Sequence, residues 1–249
     1  MKTLEGRTAV ITGAAQGIGY AIAEKFIEEK VTNLAVLDWN AEAITAAAEK
    51  LAQISPMTKV LPVQCDISNA DNVNDAFAKI EAELAPVDIL VNNAGITRDA
   101  MFHKMTFEQW DAVIKVNLYG TFNCCKAVIQ GMRDRCYGRI VNIASTSSYG
   151  NAGQANYSAT KGAIISLTKT LAREGARKNI SVNAINPHSV DTSMFAAIPP
   201  EVMESVLNSH VMKRLGKPEE IASLAAYLAN EECTYLSGTV IDCSGADRT

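Results

Sequence analysis

No Cys-x-x-Cys pair occurs among the six cysteines, and only three histidines (His103, His188, His210) are present. The ligand spacing of a zinc site is therefore missing. A basic block is missing too: 23 Lys and Arg stand against 27 Asp and Glu, a net charge of −4. That balance argues against nucleic acid or an anionic membrane as the main partner. Glycine and charge interrupt every apolar run well short of the ~20 residues a membrane span needs. The segment from Met1 to Gly6 has no apolar core and no small-residue cleavage site, so no signal peptide is read and a cytosolic protein is expected. Low-complexity linkers, internal repeats and proline-rich boundaries are absent, and the 249 residues read as one domain. Hydrophobic residues are 48% and charged residues 20% of the chain, which excludes disorder. Cysteines inside apolar stretches are expected to be small core residues, with Cys124 and Cys125 pointing to different faces of a helix.

What is present alternates. Short β-branched runs predict strands at 8–12, 34–38, 59–64, 89–92, 139–143, 181–186 and 239–243. Between them lie helical stretches at 17–30, 41–53, 69–84, 106–132, 157–177 and 218–229. Such alternation implies an α/β fold: a doubly wound (Rossmann) domain with a seven-stranded parallel sheet, helices on both faces and ligands beyond the strand carboxyl ends. The stretch 188–210 breaks the rhythm and carries Pro199-Pro200. A loop of that length is read as a substrate lid, with an irregular surface excursion as the alternative.

The first strand runs into Thr12-Gly13-Ala14-Ala15-Gln16-Gly17-Ile18-Gly19. Glycines there permit a tight turn and close approach of the backbone to a pyrophosphate, and the helix opening at Gly17 offers free N–H groups to that anion. The spacing is Gly-x-x-x-Gly-x-Gly rather than the general Gly-x-Gly-x-x-Gly fingerprint. Asp38 ends the second strand, followed by Trp39 and Asn40 with no Arg or Lys beside them. A carboxylate there accepts both hydroxyls of an adenosine ribose and repels a 2′-phosphate, so NAD(H) is expected over NADP(H). The alternative for Asp38 is a helix cap. Asp66-Ile67 follows the third strand, either beside the adenine or in a capping turn ahead of Asn69.

Asn92-Asn93-Ala94-Gly95 closes the fourth strand, Asn117 interrupts an apolar stretch of the next helix, and Ser145 follows the fifth strand. Tyr157 and Lys161 are spaced i, i+4, which puts them on one helix face. An ammonium beside a phenol favours the phenolate, so a tyrosine can exchange protons with an alcohol oxygen while nicotinamide carries the hydride. A serine at a neighbouring strand end can bond the same oxygen. Taken alone, Tyr-x-x-x-Lys is equally read as an amphipathic tyrosine beside a solvated lysine.

These segments, in this order, resemble the short-chain dehydrogenase/reductase family from Thr12 to Gly245. The resemblance implies that Gly13, Gln16, Gly17, Ile18 and Gly19 form the coenzyme turn. It places Asp38, Trp39, Asp66, Ile67, Asn93, Ala94 and Gly95 along the dinucleotide, and Pro187, Val190 and Thr192 at the carboxamide end of nicotinamide. It implies a catalytic tetrad of Asn117, Ser145, Tyr157 and Lys161. In that tetrad tyrosine is the acid/base, lysine holds the nicotinamide ribose and lowers the tyrosine pKa, serine orients the carbonyl, and asparagine holds a relay water. Within the family, Asn92–Asp99, Gly153–Tyr157 and Met212–Glu220 are most similar to the 3-oxoacyl thioester reductases. Arg133, Arg135, Arg177 and Lys178 fall where such enzymes dock acyl carrier protein, or they are ordinary solvated helix ends. A homotetramer built on the helices after strands four and five is also implied.

Three features depart from the pattern. His188 stands where the family usually has glycine, which makes it a substrate or lid contact. The Ser145–Tyr157 interval is one residue short, with Ser147 and Ser148 as weaker candidates for the serine. Asp38 opposes the NADPH preference of biosynthetic reductases. The expectation is thus an NAD(H)-dependent oxidoreductase of a secondary alcohol/ketone pair, most like a 3-oxoacyl thioester reductase. The alternatives are a dehydrogenase of a free alcohol, diol, cyclic ketone or hydroxysteroid and, more remotely, a non-catalytic NAD-binding sensor.

Overall fold

The computed structural model describes residues 3–192 and 210–246, together with Met203, Glu204, Leu207 and Asn208. Its strands are β1 (Thr8–Thr12), β2 (Asn33–Asp38), β3 (Lys59–Gln64), β4 (Ile89–Asn92), β5 (Gly138–Ile143), β6 (Ile180–Pro187) and β7 (Val240–Cys243). They form one seven-stranded sheet in the order β3-β2-β1-β4-β5-β6-β7, every neighbouring pair parallel. The helices are α1 (Gly17–Glu28), α2 (Ala41–Ala52), α3 (Ala70–Glu83), α4 (Phe107–Val113), α5 (Gly120–Arg135), α6 (Ala155–Gly175) and α7 (Pro218–Ala229). This is the doubly wound α/β architecture that the alternation implies.

Period-two alternation sends the strand side chains to two cores. Ala9, Ile11, Leu34, Val36, Val91 and Ile143 pack with Ile22 and Phe26 of α1, Leu51 of α2 and Ile221 of α7. Val10, Ala35, Leu37, Leu90, Ile140 and Val182 pack with Phe77 and Ile80 of α3 and Val128 and Met132 of α5. Both faces are covered, so β1, β4, β5 and β6 are buried along their whole length. That is why their sequences are near-continuous apolar runs.

The chain winds outward from β1 in one direction and from β4 in the other. A crevice therefore opens beyond the carboxyl ends of these two adjacent strands. Thr12 seals the seam: its Oγ1 accepts from the Asn93 N–H at 3.0 Å and the Ala94 N–H at 3.1 Å. Asn93 Nδ2 returns two bonds of 3.0 Å, to the Thr12 and Gly13 carbonyls. The glycine turn and the strand-four motif thus become one rigid edge.

The helix expected across 106–132 is not continuous. After α4 the chain widens into a π-helical turn, Ile114–Tyr119, before α5 resumes. Such a π-bulge inside a helix is frequently found at functional sites, and this one carries Asn117. The adjacent Cys124 and Cys125 are core residues, as expected of cysteines in an apolar stretch. Both are buried, because α5 is covered by the sheet and by α3. Burial pushes the Cys125 thiol up to about 12 and the Cys65 thiol up to about 11, so both behave as small core residues. All six cysteines are unpaired, Cys136 is exposed and Cys243 is half-buried.

Candidate active site

A cleft of about 840 Å³ runs along the carboxyl edge of the sheet, from the glycine turn and Asp38 at one end to Tyr157 and Lys161 at the other. Its first wall is shaped by absent side chains. Gly13 has φ +64°, and a Cβ there would come 2.8 Å from Ala94 Cα. A Cβ at Gly19 would overlap the Gly13 carbonyl oxygen and press on Asn93 Nδ2. The start of α1 also lacks what α2 and α3 possess. Asn40 and Asn69 cap those two helices with their side chains, whereas Gln16 offers α1 no side-chain cap and its first turn holds no acid. Open N–H groups at the floor of a cleft suit a diphosphate. These residues therefore fit a dinucleotide.

Further along, Asp38 Oδ1 accepts from the Asn40 N–H at 3.1 Å, and the exposed Trp39 indole flanks it. Arg98 and Lys161 are the cations lining the cleft among the described residues. Both belong to its other end, away from Asp38. Asp66 Oδ1 accepts from Ser68 N and Oγ at 3.0 and 2.7 Å, which makes it the anchor of a turn as well as a cleft residue. The Ile67 side chain is buried, and a Cβ on Gly120 would meet its Cδ1 at 2.5 Å. Pro187 closes β6, Val190 pairs with Gly216 in a parallel bridge, and the chain returns so that Thr192 Cγ2 lies 3.4 Å from where a Gly17 Cβ would sit. The segment 190–192 thus lies over the glycine turn. Most of the stretch expected to be a lid falls outside the described residues.

At the opposite end four polar side chains converge. Asn117 is buried; its Oδ1 accepts from the Ile96 N–H at 2.8 Å and its Nδ2 donates to the Ile96 carbonyl at 3.0 Å. The widened turn frees the Asn117 carbonyl, which accepts the Thr121 hydroxyl at 2.7 Å. Asn117 Oδ1 and Lys161 Nζ lie 3.3 and 3.7 Å from the Cβ position of Gly95, so any side chain there would fill the space between them. Ser145 caps the short turn Thr146–Tyr149, and its hydroxyl acts on the Tyr157 phenol to lower its pKa. Tyr157 and Lys161 share one face of α6, with Nζ 5.4 Å from the ring centroid.

One expectation is reversed in this geometry. The resemblance implies that the ammonium lowers the tyrosine pKa, but burial holds the Tyr157 phenol above its ordinary value, with the Ser145 hydroxyl opposing and the Asp99 charge assisting. Burial instead drives Lys161 down to about 8. Its Nζ donates to the Ile143 carbonyl at 2.7 Å, a neutral acceptor that leaves the charge poorly stabilised.

These observations can be set beside known proteins. A family profile described as short chain dehydrogenase matches residues 7–202. The chain belongs to the short-chain dehydrogenase/reductase family. Such enzymes act on the CH–OH group. An acetoacetyl-CoA reductase of Shinella zoogloeoides is 45% identical over 241 residues, covering 96% of this chain and 97% of the relative. A 3-oxoacyl-[acyl-carrier-protein] reductase of Thermotoga maritima is 40% identical over 245 residues, covering 97% and 98%. A solved 3-oxoacyl-[acyl-carrier protein] reductase with bound NAD from Brucella melitensis superposes with a TM-score of 0.89 at 33% identity, over 98% of this chain and 92% of that one. The 3-oxoacyl/acetoacetyl-CoA branch read from the motifs is thereby borne out.

Within this member of the family, two substrate candidates occupy different positions. Ser147 lines the cleft, but its hydroxyl donates to Gln154 Oε1 at 3.1 Å and its N–H to Ser145 Oγ at 3.2 Å. It braces the serine loop. His188, exposed at the cleft rim, shares a 2.7 Å hydrogen bond between its Nδ1 and Thr146 Oγ1, next to Ser145. Its ring meets the buried His210 edge-on at 4.6 Å. An imidazole held at two points narrows the opening where glycine would leave it wide. His188→Gly is therefore expected to raise kcat/KM for bulky ketones relative to small ones. A graded ketone panel measures this, and an unchanged profile would make the histidine a bystander. Sequence reasoning missed Gln154, Asn151 and Thr146 as site residues; the only available signal was the position of Gln154-Ala155-Asn156 directly before Tyr157.

Proposed function

We propose that this enzyme uses NAD(H) to reduce the ketone of a 3-oxoacyl coenzyme A thioester to the secondary alcohol. The observation that carries this reading is the cleft itself, which joins an acid at the ribose end to a tyrosine and serine at the other. The bound dinucleotide supplies the hydride. The chain does the rest. Gly13, Gly17 and Gly19 hold the diphosphate, and Asp38 takes the ribose hydroxyls. Ser145 and Tyr157 receive the substrate oxygen, and the phenol, kept protonated by its burial, donates the proton as that oxygen becomes a hydroxyl. Lys161 holds the nicotinamide ribose, and Asn117 steadies the segment at Ile96 beside it.

Support for the thioester comes from the names of the relatives. Coenzyme A is favoured over a carrier protein by position. Arg133 and Arg135 end α5 ahead of β5, and Arg177 and Lys178 precede β6. All four lie at the amino ends of parallel strands, across the sheet from the cleft, and Arg133 and Arg135 donate to the Glu174 and Val87 carbonyls. Acetoacetyl-CoA against free cyclic ketones and diols, assayed with NADH, tests the substrate. A second reading, a dehydrogenase of free alcohols, is favoured by His188 and by Asp38 and predicts the reverse order of activity.

The coenzyme choice has its own test. Like charges brought together cost at least ~1 kcal/mol even in solvent-like surroundings, so NADH is expected to exceed NADPH in kcat/KM by at least about fivefold. Asp38→Ala should narrow that ratio, and equal use of both by the unaltered enzyme would overturn the assignment. The six free thiols suit a reducing, cytosolic compartment. The groove formed by Phe122 and Ile129 of α5 with Leu167 and Leu171 of α6 suits packing between copies in a homotetramer. No helix of the described residues is long and apolar enough to cross a membrane, and no metal-binding cluster occurs among them.

A further inference from the structure

Helix α6 carries a second polar row beside the one that holds Tyr157 and Lys161. Asn156, Thr160 and Thr168 recur at multiples of four residues, with Ile164 between the last two, so they share one face. All three are fully buried. A buried polar side chain costs stability unless it is bonded, and each of these is spent on a different part of the molecule. Asn156 Nδ2 donates to the Arg98 carbonyl at 2.9 Å and to the Gln109 carbonyl at 3.1 Å. Thr160 Oγ1 accepts from Asn117 Nδ2 at 3.3 Å. Thr168 Oγ1 accepts from Asn142 Nδ2 at 2.8 Å, on β5 inside the core.

The Thr160 bond completes a chain. Its own proton goes to the Tyr157 carbonyl at 2.7 Å, which leaves its oxygen to accept. Asn117 supplies the donor. That amide is already oriented by Ile96, whose N–H it accepts at 2.8 Å and whose carbonyl it bonds at 3.0 Å. Turned over, it would set carbonyl against carbonyl and NH2 against N–H. A continuous path thus runs from the turn of α6 that bears the acid, through the widened turn, to Ile96 in the cleft wall. Asn156 makes a second tie to the same wall at Arg98. An apolar helix face packs acceptably at more than one position along its axis, whereas a fully bonded polar row specifies one.

We infer that Thr160 is a positioning residue for the reduction: acting through Asn117, it sets how far Tyr157 stands from the cleft wall at Ile96. Proton donor and hydride donor must reach one carbonyl together, which needs the two sides of the cleft held at a fixed spacing. The inference rests on the reading of Tyr157 as the acid. Thr160 itself does not line the cleft. Thr168 belongs to the same row but ties α6 to β5, away from that wall.

The experiment pairs two substitutions of one kind, Thr160→Val and Thr168→Val, assayed well below their melting temperatures. Each deletes a buried hydroxyl from the same helix face, keeps the outline of the side chain and leaves one amide proton without its acceptor, so each should lower Tm. Misplacing a reacting group by about 1 Å costs about a hundredfold; with the Ile96 bonds and the Asn156 tie retained, Thr160→Val should lower kcat for acetoacetyl-CoA about tenfold and keep KM and the Kd of NADH within about twofold. Thr168→Val should keep kcat, and Thr160→Ser, which restores the acceptor, should recover it. In an Asn117→Ala background Thr160→Val should lower kcat no further. An unchanged kcat in Thr160→Val, an equal fall in Thr168→Val, no recovery in Thr160→Ser, or additive losses with Asn117→Ala would overturn the positioning role and leave Tyr157 as the acid. Turnover retained by Tyr157→Phe would overturn the reading of the acid and this inference with it.

Discussion

Replacing Tyr157 by phenylalanine is expected to lower kcat ~10³-fold in both directions, the loss typical of a positioned acid/base, while leaving NADH binding intact. The variant deletes one oxygen. The ring still fills its half-buried place on α6, and Gly13, Gly17, Gly19 and Asp38 are untouched at the far end of the cleft. Proton transfer to and from the substrate oxygen is what disappears. Steady-state turnover with acetoacetyl-CoA and NADH fluorescence titration, run side by side, separate the two effects. Unchanged turnover would remove Tyr157 from its proposed role, and binding without turnover in the unaltered protein would favour a coenzyme sensor. The raised phenol also sets a pH direction for the unaltered enzyme. Alcohol oxidation, which needs the phenolate, should climb with pH through the alkaline range, and ketone reduction, which needs the neutral phenol, should not.

Lys161→Met should give an unusual pair of results: a more stable protein that hardly works. The Lys161 ammonium is buried, with a pKa lowered from 10.5 to about 8. That gap represents ~3 kcal/mol of penalty on the charged form in the folded state. The sign follows from proton counting. Between about pH 8 and 10.5 the unfolded chain holds the proton and the folded chain has lost it, so stability rises with pH across that window; below it the full penalty is carried. Methionine carries none of it, at the cost of ~1 kcal/mol for the lost bond to the Ile143 carbonyl. The net gain of ~2 kcal/mol at pH 7 corresponds to ~5 °C in Tm for a chain of this size. The advantage should fade as pH approaches 10.5. Turnover should fall ~10²-fold or more, because the residue that holds the nicotinamide ribose is gone. Thermal melts at pH 7 and above pH 10 decide the matter; a variant that melts lower at pH 7 would show the ammonium to be stabilised by partners other than this carbonyl.

Much of this arrangement can be read directly from the residues, for identifiable reasons. The β-branched runs at 8–12 and 89–92 and the glycine turn after them encode strand, turn and helix locally. The i, i+4 spacing of Tyr157 and Lys161 encodes a shared face in the same way. What escapes is whatever depends on neighbours distant in the chain. The direction of the Tyr157 shift depends on how deeply α6 packs against the end of β5, and spacing along one helix carries no information about depth. Cys124 and Cys125 illustrate the same limit, since their burial depends on how the sheet and α3 pack against α5. Gln154 looks like an ordinary helix-start residue until Asp99, 55 positions earlier, is brought beside it. The break at 114–119 carries no local signal, because Asn117 in it is clasped to Ile96, 21 positions earlier in the chain.

The π-bulge at 114–119 has a consequence for how this chain can change. Shortening the stretch 114–119 by a single position would let the coil close into a regular α-helix, a locally favourable repair. The repair would swing everything on one side of it by about 100° relative to the other, so that the side chain now clasping Ile96 from both sides would face elsewhere. Point changes in this stretch can be absorbed by degrees, but deletions cannot. The length of the segment, more than its lettering, is what descent must preserve.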